Sequence, residues 1–166
     1  VDDHTYPNNS VRGYMLQVNA AWDPGQFYAM QIDGLRSSST SYFSTWITSL
    51  LNWVGDDPTN MMFILEDQNG NVVAKYYTGD IPDKDYEWKQ YGFEFTIPDG
   101  QTSLKLRIIN NGTGSSGNDF VMDDIEVRLC VPGVRITNPE AESTSICVGE
   151  SPTLDGWFYD RDNVFG

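Results

Sequence analysis

The stretch NDFVMDDIEVRL, residues 118 to 129, decides how this chain is read. As a strand it sends Val121, Ile125, Val127 and Leu129 to one face and Met122, Asp124, Glu126 and Arg128 to the other. Asp123 then falls on the apolar face. An ionised carboxylate in apolar surroundings costs several kcal/mol or more unless a cation or a set of hydrogen bonds compensates it. The strand therefore asks for a compensating partner beside Asp123.

Similar short alternating runs, separated by clusters of Gly, Pro, Asn and Asp, recur through the chain, whereas amphipathic helical patterns are scarce. The pattern predicts strands at about 11–19, 25–33, 41–51, 61–67, 72–78, 87–97, 102–110 and 119–129. Residues 67 to 71, DQNGN, predict a hairpin in which Asn69 and Gly70 adopt the positive φ angles of a type I′ turn. Two sheets built from such strands and stacked face to face make an all-β sandwich.

The 166 residues suffice for one domain of sandwich size with some chain left over. The character changes after Cys130, where VPGVRITNPEAESTS carries two prolines and little aromatic content before ICVGESPTLDGWFYD resumes an alternating pattern. This divides the chain into a domain over 1–130, a linker over 131–137 and a fragment of a second β module over 138–166. About 35 residues are too few for a sandwich of roughly 100, so the fragment's strands need a partner. Val1 does not open a signal peptide and is expected to be a processed or cut end.

The formal net charge of −14 argues against a nucleic-acid partner, because neutralising phosphates needs clustered Lys and Arg. No apolar run approaches the roughly 18 residues of a membrane span. Cys130 and Cys147 lack the spacing of a zinc site. Three states stay open for them: a mutual bridge, a bridge from Cys147 to a residue beyond Gly166, and free thiols.

The runs GYMLQVNAAWDPGQFYAMQIDGL, SYFSTWI, MMFILEDQNGNVVAKYYTGDIP, EWKQYGFEFTIPDG and LKLRIINNGTGSSGNDFVMDDIEV resemble the galactose-binding-like jelly rolls. These occur as carbohydrate-binding modules and in large bacterial surface proteins. The resemblance covers about residues 4 to 130. The segment VRITNPEAESTSICVGESPTLDG looks like the start of an immunoglobulin-like repeat of the kind that follows such domains. The resemblance implies an all-β jelly-roll β-sandwich plus a partial immunoglobulin-like β module, located outside a bacterial cell. It further implies a structural calcium ion held by the Asp pair of the last strand and the N-terminal segment, here Asp123, Asp124, Asp2 and Asp3. Calcium takes six to eight oxygen ligands, so backbone carbonyls would complete the set. Hydrogen bonds from backbone amides to the carboxylate are the alternative compensation.

The aromatic residues supply the candidate ligand site. On strand 41–51, Phe43, Ile47 and Leu51 claim the interior and turn Tyr42 and Trp46 outward. On 87–97, Tyr91, Phe93, Phe95 and Ile97 leave Trp88, Gln90 and Glu94 outside. An outer face bearing Trp46, Tyr77, Trp88, Gln90 and Arg107 has the ingredients of a sugar platform, since aromatic rings stack on the C–H faces of pyranoses while amides and guanidinium groups bond the hydroxyls. A loop-end site built from Trp22 and Trp53 beside Asp23, Asp56 and Asp57 is the competing geometry. Catalysis has little support, because His4 alone would have to serve any Ser-His-Asp or Cys-His device and no carboxylate pair is singled out by spacing. The expected function is thus a non-catalytic carbohydrate-binding or adhesive module of a large secreted or cell-surface bacterial protein. Its partners would be a glycan or cell-surface polysaccharide, further domains of the same polyprotein, and the export machinery. The rival is a structural spacer that binds no sugar.

Overall fold

The computed structural model describes residues 1–9, 11–50, 57–82, 85–113 and 118–132, together with the backbone of three short strands further on. Eight strands make the body of the molecule: β1 (Leu16–Val18), β2 (Gly25–Ile32), β3 (Thr40–Ser49), β4 (Thr59–Glu66), β5 (Val72–Ile81), β6 (Lys89–Thr96), β7 (Leu104–Asn110) and β8 (Phe120–Pro132). Each overlaps one of the eight predicted from alternation. They form two antiparallel sheets, the first in the order β1-β8-β3-β6 and the second in the order β2-β7-β4-β5. Successive strands alternate between sheets except at the β4–β5 hairpin, which is the jelly-roll arrangement of a β-sandwich.

The core lies between the sheets. Phe43, Ile47, Phe95, Phe120 and Met122 of the first sheet meet Met61, Phe63, Leu65, Leu104, Leu106 and Ile108 of the second, all of them buried. Phe43 and Phe63 face each other across the layers with ring centroids 4.9 Å apart, and Phe27 meets Phe120 at 5.0 Å. Each such side chain contributes about 1.5–3 kcal/mol by leaving water. The alternation of large apolar and polar residues along each strand therefore sets which face turns inward.

One strand breaks its own alternation. Between Ser44 and Trp46 of β3, the partner residues on β8 step from Glu126 to Asp123, so β8 carries one extra residue there. Asp124 takes up the excess at φ 47°, a left-handed conformation that Asp tolerates better than most residues. Before this bulge Phe120 and Met122 point inward, and after it Ile125 and Val127 do. The inward carboxylate expected from simple alternation is therefore corrected: Asp123 shares the outward parity of Val121 and leaves the core free of charge. Thr45 Oγ1 donates to the Asp123 carbonyl at 2.8 Å, so the bulged backbone keeps a partner.

The 67–71 hairpin forms, with a different turn. Gly70 is at φ 84° while Asn69 is not among the described residues with positive φ, so the loop is not type I′. Gly70 N–H donates to Asp67 O, and the Asp67 carboxylate accepts from Asn69 N–H, Asn71 N–H and Asn71 Nδ2. These bonds favour a turn organised around Asp67 and hold its carboxyl below the usual range, the Asn71 side chain being the largest cause.

The predicted boundary after Cys130 falls inside β8, which continues to Pro132 and pairs antiparallel with β9 (Ser145–Cys147). Cys130 is disulfide-bonded, and its register partner on β9 is Cys147. Strands β10 (Phe158–Tyr159) and β11 (Val164–Phe165) pair with one another. The remainder of the expected 131–137 linker and of the 138–166 immunoglobulin-like fragment lies outside the described residues.

The outer side of the first sheet has its own constraint at Gly92 on β6. A methyl group there would come 2.5 Å from both the Phe43 carbonyl oxygen and the Tyr42 hydroxyl. We expect Gly92→Ala to lower stability by about 1–3 kcal/mol, as overpacking does, measured by denaturant unfolding. An unchanged midpoint would show that Tyr42 swings aside freely.

Candidate functional site

Asp123, Asp124 and Trp46 project from the outer face of the first sheet, and the N-terminal segment lies over them. His4 N–H donates to Asp123 Oδ2 at 3.1 Å, and Asp124 N–H donates to Asp123 Oδ1 at 2.8 Å. The His4 ring stacks on Trp46 with centroids 3.9 Å apart and presents to Trp88 at 5.7 Å. Its Nδ1 lies 2.7 Å from Asp124 Oδ2, and Thr5 Oγ1 donates to the same carboxylate. Trp88 Nε1 donates to the Asp2 carbonyl at 3.1 Å. Residues 2 to 5 thus form a strap whose imidazole occupies the space between the two indoles.

Asp123 is 9% exposed. Burial pushes its carboxyl upward from the ordinary range. The N–H groups of Asp124 and His4 oppose the shift, and the charges of Asp124 and Asp3 add to it. Asp3 accepts from Tyr6 N–H and rests against Gly13. The expected metal set therefore comes together only in part. Asp3 and Asp124 both act on the Asp123 carboxyl, whereas the Asp2 carbonyl accepts from Trp88 Nε1, and among the described residues no group of three or more His, Cys, Asp or Glu converges to hold a metal ion.

The five-residue sugar platform is divided. Trp46, Trp88 and Gln90 belong to the first sheet, and the two indoles are half-buried by the strap. Tyr77 and Arg107 belong to β5 and β7 of the second sheet, on the opposite outer face. Alternation gives the face a side chain takes on its own strand, but says nothing about which sheet the strand joins. His4 is the residue that sequence reasoning passed over. Its only local signal was its place just before the strand region in an otherwise acidic, polar segment.

The end of the sandwich offers a different geometry. The β1–β2 connection carries Trp22, which is 71% exposed. The backbone just before it is fixed: Ala20 N–H donates to Asp119 Oδ1 at 2.8 Å, and the Ala21 carbonyl accepts from Asn110 Nδ2 and Asn118 Nδ2. Asn110 and Asn118 are buried. Asn111 is bonded through its backbone and its side chain to Asn60, which joins the β7–β8 connection to the start of β4. Asp23 is exposed beside Trp22, and Asp57 is partly exposed. Trp53 and Asp56, the other members of the expected loop-end site, lie outside the described residues.

The sequence matches no protein-family model and no curated protein. Solved structures of similar architecture include a CBM4 structure (TM-score 0.47, 15% identity, 61% of this chain and 59% of that one). A Family 16 Carbohydrate Binding Module-2 aligns with TM-score 0.41 and 14% identity over 75% of this chain and 82% of that one. The VP2 subviral particle of infectious bursal disease virus aligns with TM-score 0.43 and 12% identity over 66% and 28%. The chain spans about three fifths of the CBM4 structure. At these identities and scores the likeness carries no argument about function, and the presence of a virus particle beside the sugar-binding modules illustrates why.

The Asp123 environment sets a pH dependence. Its carboxyl is raised in the folded state, so the native protein holds this proton more tightly than the unfolded chain. The site's contribution to stability then increases as pH falls through the folded pKa towards the unfolded value near about 3.9. Asp123→Asn removes the titration. The stability of the variant relative to wild type is expected to be greatest at neutral pH and to decline on acidification, as read from denaturant midpoints across pH. A difference independent of pH would mean that Asp123 titrates normally.

Proposed function

We propose that the chain is a non-catalytic carbohydrate-binding module of a large secreted or cell-surface bacterial protein, with Trp22 as the ring on which a sugar stacks. The observation that carries this reading is the exposed indole on a connection held by Asp119, Asn110 and Asn118. An exposed tryptophan forgoes the stabilisation that burial would bring. Buried amides that pin its backbone give up conformational freedom before any ligand arrives, which lowers the entropy lost on binding. Indole faces suit the C–H faces of pyranoses, and Asp23 can accept from sugar hydroxyls.

The half-buried state of Trp46 and Trp88 favours one alternative, a spacer domain that binds no sugar. Glycan-array screening followed by calorimetry separates the two. Trp22→Ala should weaken binding to the selected glycan by about 1–3 kcal/mol with an unchanged melting temperature, as for a contact anchor. Trp46→Ala should lower the melting temperature instead, because it removes the surface on which His4 stacks. Failure of the array to retain any glycan would support the spacer, whereas full binding by Trp22→Ala would move the sugar site away from the loop end.

Calcium is part of this proposal. Asp123 and Asp124, with Asp3 and backbone oxygens of the strap, are the residues that would hold it, and the ion would offset the mutual repulsion of their carboxylates. No catalytic role follows from it. An ion bound to the native state alone raises the melting temperature with concentration. Thermal scans should therefore show an increase with calcium that a chelator reverses and that Asp123→Asn abolishes. Identical midpoints with calcium and chelator would exclude the site.

A further inference from the structure

The two outer faces of the sandwich differ in charge. The first sheet presents Glu94, Glu126, Asp123 and Asp124 with Arg128 already paired to Glu126. The second presents Lys75, Lys105 and Arg107 with Glu66 as the one carboxylate in their rows. Three of the chain's 10 Lys and Arg residues thus stand on one face of a molecule with 24 Asp and Glu.

Registry places these groups. Arg107 and Lys75 flank Ile64 in a single row across β7, β4 and β5, and Lys105 and Tyr77 lie in the rows on either side, opposite Glu66 and Met62. With strands about 4.8 Å apart and about 6.8 Å between alternate residues, the three cations surround an area roughly 10 Å wide. Arg107 is held in place by Glu66 Oε1 at 2.7 Å and Gln26 Oε1 at 2.5 Å. Among the described residues neither lysine makes an ion pair. Tyr77 is 53% exposed, and the Lys75 ammonium lies 5.9 Å from its ring centroid.

We propose that the outer face of the second sheet binds an acidic polysaccharide, one that carries a carboxylate on its sugar rings. This rests on the carbohydrate-binding reading but uses a face that does not include Trp22. Tyr77 supplies the stacking ring, and Lys75 and Lys105 the charges that meet the carboxylates. The exposed ring selects a polyanion built of flat-faced units over a bare polyphosphate. Three cations are too few for the phosphate neutralisation on which nucleic-acid affinity depends. The acidity of the rest of the molecule does not cancel the patch, since at physiological salt charges beyond about 8 Å are largely screened.

Polygalacturonate and its fully methyl-esterified form share a backbone and differ in charge, so calorimetry with both tests the proposal. The native chain should bind polygalacturonate, more weakly as salt rises, and should bind the ester at least about tenfold more weakly. The Lys75→Glu/Lys105→Glu variant should lose about tenfold or more for polygalacturonate, and Tyr77→Ala should weaken both. Equal binding of acid and ester would overturn the proposal, as would wild-type affinity in the charge-reversed variant. Sensitivity to Trp22→Ala with indifference to the lysines would return all sugar binding to the loop end and overturn it too. Self-association of the native chain that charge reversal abolishes, with no polygalacturonate binding, would assign the face to a second copy instead.

Discussion

The extra residue that β8 accommodates at Asp124 is the constraint on which much of the structure depends. Two apolar pairs, Phe120 with Met122 and Ile125 with Val127, sit an odd number of residues apart and cannot share a face on a regular strand. A single left-handed residue resolves the conflict. Both pairs then reach the core, the carboxylate between them turns outward, and Thr45 satisfies the carbonyl that the ladder loses. The same event creates the acidic outer site, because Asp123 and Asp124 emerge together beside Trp46, where the strap can reach them. A packing solution inside the sandwich thereby determines the chemistry outside it.

Much of this architecture was legible in the amino-acid order. The eight strands follow from alternation, and the inward sets Phe43 with Ile47 and Phe93 with Phe95 were read with the correct parity because each strand is apolar on one side only. Strand β8 misled for the opposite reason. Its alternation contains a phase change, and counting every apolar residue after Val121 as one set hid the fact that Phe120 and Met122 form another. The adjacent aspartates, tolerant of positive φ, were the available signal. The turn at 67–71 misled through a dipeptide preference, since Asn-Gly favours one hairpin type in general while the carboxylate of Asp67 selects another here.

The candidate sites were less legible than the fold. Trp46 and Trp88 meet a strap remote in sequence, and nothing in local periodicity reports such a contact. Tyr77 and Arg107 were assigned to the same platform because outward parity is a property of a strand, whereas membership of a sheet is a property of the topology. Trp22 shows the reverse case. The backbone before it is held by Asn110 at the end of β7 and by Asn118 and Asp119 in the β7–β8 connection, and these become meaningful as a group only when the segments are brought to one end.

Strand β8 also has a mechanical significance. It lies between β1 and β3 in the first sheet and runs on to Pro132, where β9 pairs with it and Cys130 is disulfide-bonded. A load applied to the chain at this point enters a strand bonded to β3 from Phe120 to Leu129 and to β1 at Phe120, Val121 and Met122. Sliding β8 along its axis would have to break the hydrogen bonds to both neighbours together and drag Phe120 and Met122 through the packed interior, rather than peel an edge strand one bond at a time. Tension entering there would thus meet a strand anchored in the core rather than a free edge.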